Sequence, residues 1–247
     1  MIIYKPVVCQ SQNWRDRKAA TLGVSVSSSN WQDDKFESIL DFASAHFEVI
    51  RIDVTDALYR HNFMAKGVLP DQALKQANAL GALWLTQHQN IIDACRVQPM
   101  IVRWAEWYEH PDYADTLAGF QRAHQVNAVL RNAVYDDAME FFRRQQQTPS
   151  LTELEGSKNF MIEEMAVLTL QARALPSLKI YPGREWTCLN AVRSGLVAEA
   201  PKGLELEQYA RIKLERRANI PSSSAAPTSQ PTRHHARRAA HMNSYDE

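Results

Sequence analysis

The apolar residues of this chain form short β-branched runs that alternate with longer segments of helical periodicity. Four runs predict strands, and a weaker run predicts a fifth. Four helical segments are expected, the third being one long helix or a broken pair. The predicted strands are residues 21–26, 48–54, 98–104, 178–181 and, weakly, 196–199, and the predicted helical segments are residues 31–47, 70–96, 111–147 and 150–172.

Several side chains mark where these helices begin. Ser29 or Asn30 is expected to cap the first helix, and Pro70 suits the first turn of the second. Ser150 and Glu153 have the spacing of a capping box, in which each side chain bonds a backbone N–H at the other's position.

The alternation of strands and helices predicts a fold class. It is that of a single α/β domain with a mostly parallel sheet flanked by helices. In such sheets, ligands bind beyond the carboxyl ends of the strands. Ser25 and Tyr181 both fall at predicted ends of this kind, so both are candidate site residues.

Composition narrows the class of protein. The 247 residues are 45% hydrophobic and 23% charged, as in ordinary soluble domains. No apolar stretch approaches the roughly 20 residues of a membrane helix, and the N-terminus lacks the pattern of a signal peptide. Three widely spaced cysteines argue against a disulfide framework or a zinc site. We therefore expect a reduced, cytoplasmic setting with no membrane partner.

Charge is unevenly distributed although the net charge is zero. Residues 211–238 contain seven basic residues and one acid, Glu215, and residues 1–210 are mildly acidic. From about residue 218 the chain is rich in Ser, Pro and Ala without apolar periodicity, which predicts disorder. We expect a catalytic domain over residues 1–217 and a basic tail over residues 218–247. The tail either contacts nucleic-acid phosphates or is simply solvated.

The first strand ends in a segment that suits chemistry on a ligand. Gly23 allows close approach to the backbone, and the serine-rich turn offers N–H groups at a helix start. Ser25 is therefore a nucleophile, an anion binder or a cap. The hydrolase elbow G-x-S-x-G is absent because residue 27 is serine.

Two further segments carry candidate side chains. Glu163 and Glu164 lie in an otherwise apolar helix, where burial favours either a general base of raised pKa or a salt bridge. Glu164 shares a helical face with Phe160. Tyr181 precedes a Pro-Gly turn signal, which by itself indicates only a turn.

Other common sites are not indicated. The eight histidines lack metal-ligand spacing, and the sequence contains neither a phosphate-binding P-loop nor a G-x-G-x-x-G fingerprint. We therefore expect no metal, no ATP and no other cofactor.

Taken in order, these motifs resemble those of the cyclodipeptide synthases over nearly all of residues 20–200. Tyr181-Pro182, with Ser28 three residues after Ser25, is similar to the subgroup marked by Tyr-Pro. The resemblance implies a Rossmann-like domain similar to the catalytic domain of tyrosyl-tRNA synthetases, and two aminoacyl-tRNAs as substrates. The segments that carry it are LGVSVSSSNW, FEVIRIDVTD, MIVRWAEWYEHPDY, NFMIEE and IYPG.

The same resemblance implies residue roles. Ser25 would hold the first aminoacyl group as an ester. Glu164 would orient its α-amino group and help to move protons. Tyr181 would hydrogen-bond within the reaction centre, and Gly23 would shape the first pocket.

The chain departs from the family pattern at three points. Phe160 stands where a tyrosine is usual, so Asn159 or Glu163 would have to replace a hydroxyl. The helix at residues 70–96 is nearly uncharged where well-known members are strongly basic. Arg184 replaces an acid near the second aminoacyl pocket, which implies an acidic second substrate or a pairing with a protein carboxylate.

Two alternatives remain at the level of sequence. One is a serine-dependent acyltransferase or hydrolase on small esters, which needs a histidine beside Ser25. The other is an inactive tRNA-binding relative, for which the phenylalanine at position 160 is the motive. The candidate histidines are His46, His61, His88, His110 and His124. The sequence does not specify the oligomeric state.

Overall fold

A computed structural model describes residues 3–10 and 14–217, so the tail expected at residues 218–247 lies outside the described residues. The described chain contains six strands and seven α-helices. The strands are β1 (Ile3–Gln10), β2 (Ala19–Val24), β3 (Val49–Val54), β4 (Met100–Arg103), β5 (Leu178–Tyr181) and β6 (Gln208–Arg217). The helices are α1 (Asp33–His46), α2 (Arg60–Ala65), α3 (Pro70–Asp93), α4 (Tyr113–Val126), α5 (Ala128–Arg144), α6 (Leu151–Ala174) and α7 (Thr187–Arg193).

All six strands join one sheet in the order β1-β6-β5-β2-β3-β4. Strands β2 to β6 are mutually parallel, and β1 pairs antiparallel with β6. The first parallel strand, β2, therefore lies in the centre, and the chain winds outward from it in both directions. This is the doubly wound, Rossmann-like arrangement, which confirms the fold class. Its topological switch point lies between β2 and β5, where ligands bind in such sheets.

The strand predictions are confirmed at four places and wrong at one. Residues 196–199 are not a strand but lie in the turns that follow α7. The sheet gains instead β1 and β6. Strand β6 alternates the exposed cations Arg211 and Lys213 with the buried Ile212, which is the period of two of a half-buried strand, although charge alone groups these cations with the basic stretch at residues 211–238. Arg211 and Lys213 thus belong to the sheet and not to a basic tail.

The helix starts also differ in part from expectation. Helix α1 begins at Asp33 after Gln32, which makes no side-chain capping bond. The expected caps at Ser29 and Asn30 are wrong because Ser28 caps a short 3-10 turn there, accepting from the Asn30 N–H at 3.3 Å. The predicted long third helix is a broken pair, and the turn between α4 and α5 is at Asn127.

Two helix starts are confirmed. Pro70 occupies the first turn of α3, and Ser150 and Glu153 form the capping box of α6. Helix α6 is buried on nearly every side between Met161 and Ala172. A helix that is apolar all round lies in the protein interior, and so α6 carries Glu163 and Glu164 into the core.

Candidate active site

A cavity of about 920 Å³ opens beyond the carboxyl ends of β2 and β5. Its position is the switch point of the sheet, so the topology makes it the candidate ligand site. Seven of the candidate residues line it: Gly23, Ser25, Ser28, Phe160, Glu164, Tyr181 and Arg184.

Ser25 lies directly after β2, in a turn closed by the bond from the Ser28 N–H to the Ser25 carbonyl, at 2.9 Å. Its side chain is partly buried, and its Oγ lies 2.7 Å from the hydroxyl of Tyr59. The Tyr59 hydroxyl also contacts Ser27 Oγ. Ser25 is thus open to the cavity and held by a neighbouring hydroxyl.

Glu164 faces the cavity from α6. Burial raises the pKa of Glu164 to about 7, against the attraction of Lys179 and a hydrogen bond from Trp186, which lower it. Among the described residues, its Oε2 has no hydrogen-bond partner. The side chain is therefore able to exchange a proton near neutral pH.

Tyr181 ends β5 on the opposite wall. Its ring packs 6.0 Å from that of Trp31, centroid to centroid. Burial raises the pKa of Tyr181, and the nearby Glu164 and Tyr59 raise it further. The phenol thus stays protonated, as a hydrogen-bond donor, throughout the neutral range. A Cβ at Gly183 would lie 2.5 Å from Tyr181 Cε1, so glycine is needed there for the ring to keep its place.

Lys179 brings a cation to the same cavity, and the sequence analysis missed it. It is buried on β5 beside Gly23, where an added Cβ would lie 2.9 Å from Lys179 Cε. Gly23 therefore leaves room for the lysine stem. Its positive charge acts to lower the pKa values of Asp53 and Glu164, against the effect of burial.

Glu163 points away from the cavity into a closed polar cluster. The Arg60 guanidinium donates to both of its oxygens, and His61 Nε2 lies 2.9 Å from Oε2. The Trp104 indole and Tyr108 hydroxyl donate to Oε1 at 3.1 and 2.7 Å. Although burial raises the pKa of Glu163, the bonds from His61 and Arg60 hold it below its usual range. This carboxylate is a fixed anchor between α2 and α6.

Two expected substrate contacts lie elsewhere. Asn159 does not line the cavity, because one helical residue turns its side chain about 100° from Phe160. Pro182 lines a separate cavity of about 310 Å³ beside β6, together with Lys35, Arg211 and Lys213. Neither Asn159 nor Glu163 lines the cavity, so neither takes the place of the tyrosine hydroxyl that is missing at Phe160.

Tyr59 is the main site residue that sequence reasoning missed. It closes a short 3-10 turn, Ala57–Tyr59, that follows β3. No motif marks it, since it lies five residues beyond the end of that strand. The rule that carboxyl ends of parallel strands meet at one edge would have drawn attention to this turn.

The candidate histidines do not support a hydrolase. His61 is bound to Glu163, and His88 contacts the Trp84 carbonyl and the Asp33 N–H. Over residues 3–10 and 14–217, no histidine hydrogen-bonds Ser25. In the same residues, no group of three or more His, Cys, Asp or Glu side chains could hold a metal ion. None of the described helices is long and apolar enough to cross a membrane.

Comparison with known families decides the assignment. Residues 5–175 match the model of the family described as cyclodipeptide synthase. The chain belongs to the cyclodipeptide synthase family. Members are transferases that use aminoacyl-tRNAs, and the expected function, cyclic dipeptide formation from two aminoacyl-tRNAs, is confirmed at this level. A search of curated proteins gives no match.

Solved structures of family members share the fold at low sequence identity. A cyclodipeptide synthase from Fluoribacter dumoffii is 18% identical, with a TM-score of 0.78 over 88% of this chain and 100% of that one. The enzyme from Candidatus Glomeribacter gigasporarum, solved bound to Phe-tRNAPhe, is 14% identical, with a TM-score of 0.64 over 85% and 93%.

A third structure relates the fold to a wider group. A Mycobacterium tuberculosis protein is 17% identical, with a TM-score of 0.61 over 82% of this chain and 88% of its own. It is described as demonstrating that cyclodipeptide synthetases are related to type I tRNA synthetases. That relation agrees with the Rossmann-like sheet described above.

Proposed function

We propose that this chain joins two aminoacyl groups through an ester on Ser25. The observation that carries the proposal is that Ser25, Glu164 and Tyr181 line one cavity at the switch point of the sheet. A nucleophile, a carboxyl that titrates near neutral pH and a phenolic donor are the groups that acyl transfer requires. No adenylate-forming motif is needed, because the substrates arrive as activated esters.

In the first step, Ser25 Oγ attacks the ester carbon of one aminoacyl-tRNA, and the bond to the ribose oxygen breaks. Glu164 receives the α-amino group, since its side chain lines the cavity and a carboxylate accepts hydrogen bonds from an ammonium. The second aminoacyl-tRNA then takes the acyl group on its amine. The freed first amine attacks the remaining ester and closes the ring, and proximity within one cavity drives this closure.

The other wall residues fix the shape and polarity of the cavity. Tyr181 donates a hydrogen bond to substrate, and Gly23 keeps the first pocket open beside Lys179. Ser28 shapes the turn that carries Ser25, and Phe160 packs edge-on against Tyr59, with ring centroids 6.2 Å apart. The phenylalanine thus serves as an apolar wall, and an inactive protein is not required to explain it.

The chain fits the Tyr-Pro subgroup of the family. Tyr181-Pro182 and Ser28 are the residues that support this assignment. We further assign residues 1–217 to the catalytic domain and residues 218–247 to a basic tail. A cytoplasmic location belongs to the same proposal, because aminoacyl-tRNAs are made and used there.

The second aminoacyl group is proposed to be acidic. Arg184 lines the cavity, is exposed and has no hydrogen-bond or ion-pair partner among the described residues. The neighbouring carboxylate of Glu185 is instead paired with Arg193, which also binds Glu207. Arg184 therefore has its donors available for a substrate carboxylate.

The tRNA body is proposed to contact the separate cavity beside β6. Lys35, Arg211 and Lys213 line it without an acidic residue in its wall. Asn30 lines both cavities, so this basic site adjoins the reaction centre. Binding of Phe-tRNA by the Candidatus Glomeribacter enzyme supports a tRNA substrate, but α3 of this chain has a single basic residue, Lys75, and so the chain needs another phosphate contact.

The test is a labelled aminoacyl-tRNA incubated with the purified protein. We expect a covalent adduct on Ser25 and, with two aminoacyl-tRNAs, a cyclic dipeptide identified by mass spectrometry. Ser25→Ala should fold normally and give neither. An adduct that persists in Ser25→Ala would assign the nucleophile to another residue.

A further inference from the structure

The nucleophile belongs to a chain of three hydroxyl groups. Tyr59 lies between Ser25 and Ser27, 2.7 Å from Ser25 Oγ and in contact with Ser27 Oγ. A phenol has one proton, so Tyr59 donates to one serine and accepts from the other. Two arrangements follow, in which the protons of the chain point toward Ser25 or away from it. Ser27 is exposed, so the chain leads from the nucleophile to solvent.

The position of Tyr59 is fixed from both sides along the chain. The Asp56 side chain caps the turn by accepting from the Ala57 N–H at 2.8 Å, and Asp56 is itself paired with Arg103. On the other side, Arg60 is clamped to the buried Glu163. Two buried carboxylates therefore hold the chain before and after Tyr59, at Ala57 and Arg60, which is the preorganisation that a catalytic group requires.

We propose that Tyr59 is a catalytic residue that moves the proton of Ser25. This inference rests on the proposed role of Ser25 and adds to it the group that handles the nucleophile's proton. Glu164 cannot be assigned this task from the geometry, because none of the hydrogen bonds of Ser25 in the described residues goes to Glu164. The only side-chain partner of Ser25 Oγ there is Tyr59.

The proton balance closes in both steps. When Ser25 Oγ bonds to the ester carbon, its proton passes to the Tyr59 oxygen while the phenolic proton passes to Ser27, which releases one to water. The departing ribose oxygen takes one proton from water. When the second amine displaces Ser25, the shifts reverse: Tyr59 protonates Ser25 Oγ and is reprotonated by Ser27, which takes one proton from water, and the attacking amine gives one proton to water. Tyr59 ends each step as a neutral phenol.

The experiment separates these two half-reactions in single turnovers. The first is formation of the labelled adduct on Ser25, and the second is product release when a second aminoacyl-tRNA is added to preformed adduct. Tyr59→Phe keeps the ring and its contact with Phe160 but removes the hydroxyl. Tyr135→Phe, at an exposed tyrosine of α5 outside the cavity, is the matched control. Thermal unfolding of each variant checks that the fold is kept.

We expect Tyr59→Phe to slow both half-reactions by about a hundredfold or more at saturating aminoacyl-tRNA, since a positioned proton-transfer group contributes about 10²–10⁴-fold. KM should stay within about twofold of the wild type, because no ground-state contact with the substrate is removed. Ser27→Ala should cost less than Tyr59→Phe, because water can replace an exposed hydroxyl. Tyr135→Phe should match the wild type.

Two outcomes would overturn the role of Tyr59. One is a pair of Tyr59→Phe rates within about threefold of wild type, and the other is a raised KM with unchanged saturated rates, which indicates binding alone. The failure of the underlying function has a different signature. In that case the wild-type protein itself would form no adduct on Ser25.

Discussion

The adjacent carboxylates of α6 should respond in opposite ways to the same substitution. Glu163 is held by four side-chain partners, whereas Glu164 is partly buried and its Oε2 has no hydrogen-bond partner among the described residues. We expect Glu163→Gln to lower stability and Glu164→Gln to raise it. The rate of product formation should show the opposite order, with Glu164→Gln reducing it more than Glu163→Gln.

The magnitude for Glu164 follows from its pKa. The folded value of about 7 lies above the ordinary value of 4.5, so the folded state binds more protons between these pH values. Stability is therefore lost as pH rises from 4.5 to 7 and stays lost above 7. At 1.36 kcal/mol for each pKa unit, the penalty is about 3 kcal/mol at pH 7.5. Glutamine removes it at a cost of about 1–2 kcal/mol for a buried amide, a net gain of about 1–2 kcal/mol.

Glu163 has the opposite sign. Its folded pKa is lowered, so its contribution is present above pH 4.5 and is lost as pH falls through the folded value. Glutamine removes the negative charge that Arg60 needs and turns an NH₂ group toward donors. We expect a loss of about 2–4 kcal/mol, below the full cost of breaking a buried pair because Arg60 is partly exposed.

Thermal unfolding at several pH values and product assays measure both effects. At about 2–4 °C for each kcal/mol in a domain of this size, Glu163→Gln should lower Tm by about 4–16 °C and Glu164→Gln should raise it by about 2–8 °C at pH 7.5. Activity should fall about a hundredfold in Glu164→Gln and much less in folded Glu163→Gln. Glu155→Gln, on the exposed side of α6, is the control.

Some results would refute this reasoning. Equal losses of activity in both variants would mean that the two carboxylates do not divide structural and catalytic roles. The second refuting result is a Glu164→Gln protein that is less stable than wild type at pH 7.5 and has the same pH dependence of stability between 4.5 and 7. It would mean that burial does not raise the pKa of Glu164.

Two further predictions concern the substrates. Products of the wild type should contain an acidic residue, and Arg184→Met should lose it in product profiling; wild-type products without an acidic residue would end that proposal. Replacing Arg211 and Lys213 by Gln should weaken tRNA binding. It should also make the fall of log affinity with log salt concentration shallower, reducing the magnitude of the slope by about 2. Deleting residues 218–247 tests the tail separately, and unchanged affinity at two salt concentrations would leave it as a solvated extension.

The parallel core of the sheet could be predicted because its strands are short apolar runs separated by helices of clear periodicity. The side of the sheet formed by β1 and β6 could not, since β6 has Arg211 and Lys213 on its exposed face and its sequence resembles a charged segment. Its pairing with β1 depends on residues about 200 positions apart, which no local pattern encodes. A strand was wrongly predicted at residues 196–199 because the apolar residues there lie in the turns after α7 and not in the sheet.

The site divides in the same way. Ser25 and Tyr181 could be placed together because strand ends converge in a parallel sheet. Glu164 could be told apart from Glu163 because it shares a helical face with Phe160, and Glu164 and Phe160 both line the cavity. The partners of Glu163 could not be predicted, because Arg60 is brought to it only by packing of α2 against α6. Tyr59 and Lys179 stayed hidden because their roles depend on neighbours brought by other strands.

The pairing of the first strand with the last has a consequence for synthesis of the protein. Of the described strands, the ribosome delivers β1 first and β6 last, so β1 lacks its partner in the sheet until the other described strands have been made. Until then its backbone N–H and C=O groups form an open edge, which is prone to pairing with other chains. Strand β6 also contributes Arg211 and Lys213 to the basic cavity. The last of the described strands therefore both joins β1 to the sheet and completes the proposed tRNA contact, so a nascent chain cannot offer that contact before β6 is in place.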